Sequence, residues 1–260
     1  MRIYRNVGYI DAQRRRAKLM AGGGFALLVA TFPVAFFMSS RNNSFIFVTY
    51  ILLVLGFILF NRGMQQIGRW GNNARHVRED FALDHHLKGL SDRYTLIHFG
   101  RPQDKVIDHT LVHPGGVVVL TTKDFPGQVT VNNDVWRKGG SVMGRMFAFS
   151  GPQVGNPTKE TEKSLDTVEA ALRGADLETD IEAVIVFTSE TAEIEVNGSS
   201  DPVLPVDELE YYVRDIEPDV EMKNEEREAI VALLSKGERV EEPVKATTRR
   251  PVKVKKRAAS

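Results

Sequence analysis

Two apolar runs near the start of the chain limit what it can fold into. Residues 17–38, AKLMAGGGFALLVATFPVAFFM, carry one charge, Lys18, and residues 45–60, FIFVTYILLVLGFILF, carry none. A helix of about 20 mostly apolar residues crosses a bilayer. The first run meets that length, and the second does so once Ser44, Asn61, Gly63 and Met64 are placed in the interface. Two such runs so close together exceed what the core of a small soluble domain needs. A cleaved leader does not fit either, because no A-x-A-like site follows the first run and a second apolar run comes at once. The connection SSRNNS allows only a tight turn, so residues 17–62 are expected to form a two-helix transmembrane hairpin.

Charge orients the hairpin. The whole chain balances 34 Lys and Arg against 34 Asp and Glu, but the basic residues gather at its two ends. Arg2, Arg5, Arg14, Arg15, Arg16 and Lys18 precede or open the first run, and Arg62, Arg69, Arg75 and Arg78 follow the second. The connecting turn holds only Arg41. The positive-inside rule then places both termini in the cytoplasm of a multi-pass protein of the plasma membrane, with residues 1–16 as a basic cytoplasmic N-terminus. Trp70 is expected just past the interface, and Pro33 is a tolerable kink within a span. Gly22, Gly23 and Gly24 favour close helix approach. The absence of cysteine excludes disulfides and thiolate metal sites and suits a reducing compartment.

Residues 71–237 read as one globular domain. Leu83, Leu87 and Leu90 recur at helical spacing in VREDFALDHHLKGL. YTLIHF is a strand, residues 106–124 a hairpin, and GQVTVNNDVWRKGG a second hairpin turning at Asn133-Asp134. A Gly-rich loop precedes a helix that opens at Asn156-Pro157, with proline in the first turn. EAVIVFT has the unbroken apolar character of a buried strand, and two helices follow it, the last ending at Gly237. This order predicts an α/β fold, a mixed sheet flanked by helices. Residues 238–260 form a basic tail expected to be disordered, either simply solvated or touching anionic lipid or nucleic acid. The six histidines match no zinc spacing.

The first hairpin carries the polar residues of most interest. A turn at Pro114-Gly115 pairs Val112 with Val117 and Thr110 with Val119, and by extension sets Asp108 opposite Thr121. Lys123, two residues on, shares the face of Thr121. Asp108, Thr121 and Lys123 are therefore expected to cluster at the open end of the hairpin.

In their order, these residues resemble the nuclease-related domain (NERD) family, a branch of the PD-(D/E)xK nuclease fold. The resemblance rests on Glu79-Asp80 in the first helix, Ile107-Asp108-His109, Gly115-Gly116 and VVVLTTK, followed by Gly127, Trp136 and Asn156-Pro157. It implies a restriction-endonuclease-like core. It also implies a metal site in which the strand acid, Asp108, and the acid of an E-x-K motif hold magnesium while Lys123 activates water. Magnesium takes oxygen ligands, and binds through one or two carboxylates, waters and substrate phosphate.

At the E-x-K acid position this chain has Thr121, a neutral hydroxyl and a poor magnesium ligand. Glu79, or Asp80 in the other alignment, would have to replace the missing acid, so magnesium is expected to be weakly held or absent. The leading expectation is a membrane-anchored, degenerate nuclease-related module that binds nucleic acid (DNA or RNA) or a protein partner beside membrane lipid. The alternative is an active metal-dependent nuclease with Asp108, Lys123 and Glu79 as its catalytic set and Asp108 and Glu79 as metal ligands. A third reading makes the domain a self-association module. The oligomeric state is not fixed by the sequence.

Overall fold

The computed structural model describes residues 1–38, 44–71, 77–139, 154–216 and 222–241. The hairpin turn, the Gly-rich loop and most of the basic tail lie outside these residues. Strand β1 (Arg2–Asn6) runs straight into helix α1 (Val7–Met38), which is followed by α2 (Ser44–Trp70). Asn6 makes the switch from strand to helix. Its side-chain oxygen accepts from the Tyr9 amide at 3.0 Å, as an N-cap does, and its amide group donates to the Phe99 carbonyl at 3.1 Å.

Both helices are long and apolar enough to span a membrane, over Val7–Phe36 and Ile46–Trp70. Most of their apolar side chains, among them Phe32, Phe36, Phe47 and Tyr50, face outward. A core helix of a soluble protein would bury them. The two helices touch through small residues. A Cβ on Gly24 would lie 2.3 Å from the Phe60 amide nitrogen, and one on Gly63 would lie 2.3 Å from that of Ala21. Gly22 and Gly23 face open space, so only the third glycine of the run serves the contact.

The rest of the chain builds a mixed α/β domain. The main sheet has strand order β10-β1-β2-β3-β4-β7-β9. Its further members are β2 (Thr95–Gly100), β3 (Ile107–His113), β4 (Gly116–Lys123), β7 (Asp180–Phe187), β9 (Val203–Pro205) and β10 (Val240–Glu241). The β3–β4 register is the expected one, with Val112 opposite Val117 and Thr110 opposite Val119. Alternation then splits the apolar residues between two faces. Leu111, Val118 and Leu120 pack under α3 (Glu79–Leu87) and α5 (Leu209–Asp215). Val112, Val117 and Val119 pack under α4 (Pro157–Gly174) and α6 (Asn224–Leu234). The second predicted hairpin, β5 (Gly127–Asn132) and β6 (Val135–Lys138), turns at Asn133-Asp134 with both residues at positive φ. It joins β8 (Ala192–Asn197) in a separate three-stranded sheet.

The basic N-terminal residues 1–16 are structured. Arg2–Asn6 is an interior strand of the main sheet, parallel to β2 and antiparallel to β10. The sheet thus closes around the hairpin, taking a strand from each side of it. Trp70, at the end of α2, packs against the domain. It is buried and meets Tyr9 and Phe99 at ring-centroid distances of 5.7 and 5.3 Å. This aromatic cluster fastens the base of the hairpin to the domain.

Candidate functional site

The polar residues singled out in the sequence meet at one end of the main sheet, distributed over both faces. Because β4 alternates, Thr121 and Thr122 point opposite ways. On the α4 side, the Thr121 and Thr161 hydroxyls lie 2.7 Å apart, and Thr161 is also 3.0 Å from the Pro157 carbonyl. On the α3 side, the Thr122 hydroxyl donates to Glu79 at 2.9 Å. Glu79 therefore does not sit beside Thr121, where a replacement for the E-x-K acid would be needed. Asp80 is farther still from that role, since it is buried in ion pairs with Arg5 and Arg78.

The acid beside Lys123 is Glu160, which the sequence reading passed over. Lys123 donates to both Glu160 carboxylate oxygens at 2.7 Å. Glu160 lies in the first turn of α4, and several bonds fix that turn. Asn156 accepts from the Lys159 amide at 3.2 Å as the N-cap. The Trp136 indole donates to Thr158 at 2.9 Å, and Asp134 accepts from the Ser200 amide at 2.9 Å and from the Thr158 hydroxyl at 3.3 Å. Trp136 and Asn156-Pro157, motif pieces far apart in the chain, both hold the start of α4 in place. Gly155, at φ +71°, lies against the ion pair, and a Cβ there would be 3.0 Å from Glu160 Oε1. An acid in the first turn after Asn-Pro was the available signal for Glu160.

Asp108 faces a cation from an unexpected source. Arg69, in the last turn of α2, places Nη2 3.7 Å from Asp108 Oδ2 and 3.5 Å from Glu79 Oε2. Burial raises the Glu79 carboxyl above its usual range, and the nearby Asp108 adds to this, against the pull of Arg69 and the Thr122 bond. Asp108 is raised too, first by burial and then by Glu160, with Arg69 and Lys123 opposing. Its side chain still keeps 44% of its surface in solvent, so the desolvation is partial.

This geometry does not fit a resident divalent metal. Magnesium demands near-octahedral oxygen ligation at about 2.0–2.1 Å. Here the Thr121 hydroxyl is paired with Thr161, Glu79 is shared between Thr122 and Arg69, and a guanidinium stands next to Asp108. Among the described residues, no three His, Asp or Glu side chains converge to hold a metal ion.

A buried ladder runs behind Asp108. Asp84 contacts His98 Nε2 at 2.9 Å, and His98 Nδ1 contacts His109 Nδ1 at 2.8 Å. Burial, followed by the neighbouring His98, holds His109 well below the usual imidazole range, so it is neutral. The consistent proton order has His98 donating to Asp84 and accepting from His109. His109 thus ties β3 to β2 and α3. His113 has a local role, accepting from the Gly115 amide at 3.2 Å inside the turn.

Residues 74–188 match the family model described as the nuclease-related domain, NERD. Comparison with curated proteins and with solved structures gave no significant match. β1, β9, β10, α5 and α6 lie outside the matched residues, so this chain completes its main sheet and both helical layers with segments outside the match. The Ile107-Asp108-His109 strand, Lys123, Trp136 and the Asn156-Pro157 helix start all fall within the match, and the chain carries a nuclease-related domain.

Proposed function

We propose that this protein is a membrane-anchored, catalytically degraded nuclease-related module that binds nucleic acid, or a protein partner in its place, at the cytoplasmic face of the plasma membrane. The observation that carries the loss of catalysis is the engagement of Thr121. The residue in the E-x-K acid position is neutral, and its hydroxyl is bonded to Thr161. Asp108, Lys123 and Glu79 are retained as binding and positioning groups. The anchoring rests on the two apolar helices with outward-facing side chains. Their sidedness follows from charge, since the basic residues flank the hairpin and only Arg41 lies in its turn. Because β1 pairs with β2, a hairpin that crosses the membrane twice leaves both on the same side.

The full chain in lipid nanodiscs, incubated with DNA and with RNA plus magnesium or manganese, tests this reading. Salt-dependent binding without cleavage is expected. Cleavage that needs both the metal and Lys123 would overturn it. Absence of nucleic-acid binding at low salt would leave the protein partner as the ligand.

One observation favours a second reading. The Lys123–Glu160 pair sets a carboxylate beside the motif lysine. An active nuclease built on this chain would draw its second acid from Glu160, not Glu79. Glu160→Gln would then abolish cleavage, and Glu79→Gln would only weaken it.

A further inference from the structure

Arg69 belongs to the membrane hairpin, yet its head group lies in the domain's candidate site. Its backbone is fixed there. Trp70, the next residue, is 6% exposed, and its carbonyl accepts from Arg14 Nε at 2.7 Å. The Trp70 indole donates to Gln66 at 2.9 Å one turn back, and the Gly71 amide closes the helix on Ile67 at 2.8 Å. The Arg69 guanidinium carbon lies 5.4 Å from the Trp70 ring centroid. The helix end that carries the cation is therefore anchored, and the Arg69 side chain itself keeps 47% of its surface in solvent.

Its surroundings call for a cation. Asp108, Glu79 and Glu160 gather three carboxyl groups at the sheet end. Lys123 pairs with Glu160, and Arg69 is the cation that contacts both Asp108 and Glu79. Without Arg69 those two carboxyls would lose this shared cation, with Asp108 still 44% exposed. A divalent cation and this guanidinium need the same carboxylates, and the guanidinium is covalently attached.

We propose that Arg69 is the site's resident cation, and that it holds Asp108 and Glu79 as an ion-pair cluster and excludes divalent metal from them. A segment of the membrane anchor thus sets the metal affinity of the nuclease-related domain. This rests on the degraded-site reading only for the placement of Asp108 and Glu79, and its test reads metal binding alone. A failure to bind nucleic acid would leave it untouched.

The probe is Mn²⁺, titrated by electron paramagnetic resonance into the full-length protein in detergent micelles. The wild type is expected to bind Mn²⁺ only weakly. Arg69→Met is expected to gain one site at least ten-fold tighter, and Arg69→Lys, which keeps the charge, to stay close to the wild type. Adding Asp108→Asn to Arg69→Met should remove the gained site. Equal Mn²⁺ affinity in wild type and Arg69→Met would overturn the proposal, and so would absence of binding in both. Should Arg69→Met fail to fold, the wild type still decides. A tight wild-type site lost in Asp108→Asn refutes the exclusion, and the lack of such a site supports it.

Discussion

The Thr121–Thr161 contact lends itself to a double-mutant cycle. Thr121 is 7% exposed and Thr161 is fully buried. The Thr161 oxygen lies within bonding distance of both Thr121 and the Pro157 carbonyl, but a hydroxyl has one proton to give. Both contacts are satisfied when Thr121 donates to Thr161 and Thr161 donates to Pro157. Thr121→Val removes one neutral hydrogen bond and leaves Thr161 its acceptor, which costs about 1 kcal/mol. Thr161→Val strands the Thr121 hydroxyl in the interior, while the Pro157 carbonyl keeps its helical amide partner, so it costs about 1–3 kcal/mol. In the double variant no hydroxyl remains to be stranded, so it should cost less than the sum of the single changes by about 1 kcal/mol. Guanidinium unfolding of the full chain in a mild detergent, followed by tryptophan fluorescence, measures all four corners. Additivity to within about 0.3 kcal/mol would mean that the two hydroxyls do not share a bond, and the reason given for Thr121's loss of a ligand role would fail. Thr121→Glu should cost more than either valine. It buries a carboxylate at a position whose strand neighbour, Lys123, is already bonded to Glu160.

Three further outcomes are expected. Gly116→Ala puts a Cβ 2.3 Å from the Asp180 carbonyl, where β4 and β7 run parallel, and should destabilise by about 1–3 kcal/mol in the same unfolding assay. Trp136→Phe removes the indole donor to Thr158 and should cost about 1 kcal/mol, with faster amide exchange at the start of α4 in hydrogen-exchange mass spectrometry. His109 is held neutral in the fold, so the unfolded chain takes up its proton first, below about pH 6.5. Its contribution is complete above that pH and is lost as pH falls toward the lower folded value. His109→Gln should therefore flatten the decline in stability between about pH 6.5 and pH 5, and an unchanged slope would refute the buried neutral assignment.

What the sequence revealed follows the range of the interactions. The β3–β4 register was legible because a tight turn couples residues a few positions apart, and the apolar hairpin because hydropathy is a property of the segment itself. β1 was not legible. RIYRN has no uniform apolar face, and its partner β2 lies beyond the entire hairpin. Arg69 read as one of several positive charges flanking a span, since its role depends on where Glu79 and Asp108 fold. Glu160 was missed for the same reason, although the Asn-Pro cap before it was in view. The hairpin residues and the first-helix acid Glu79 were found, and the partners delivered by α2 and α4, Arg69 and Glu160, were not.

The position of β1 also fixes an order of events during synthesis. Arg2–Asn6 emerges from the ribosome before the hairpin, but its partner strand, Thr95–Gly100, emerges after it. The first strand must wait unpaired while both apolar helices are made, and the β1–β2 contact closes the long loop only afterwards. On the proposed membrane anchoring, the sheet's completion is a late step that depends on correct insertion. A hairpin left in the wrong orientation would put β1 and β2 on the same wrong side, whereas a single helix failing to cross would separate them and leave β2 with a bare edge.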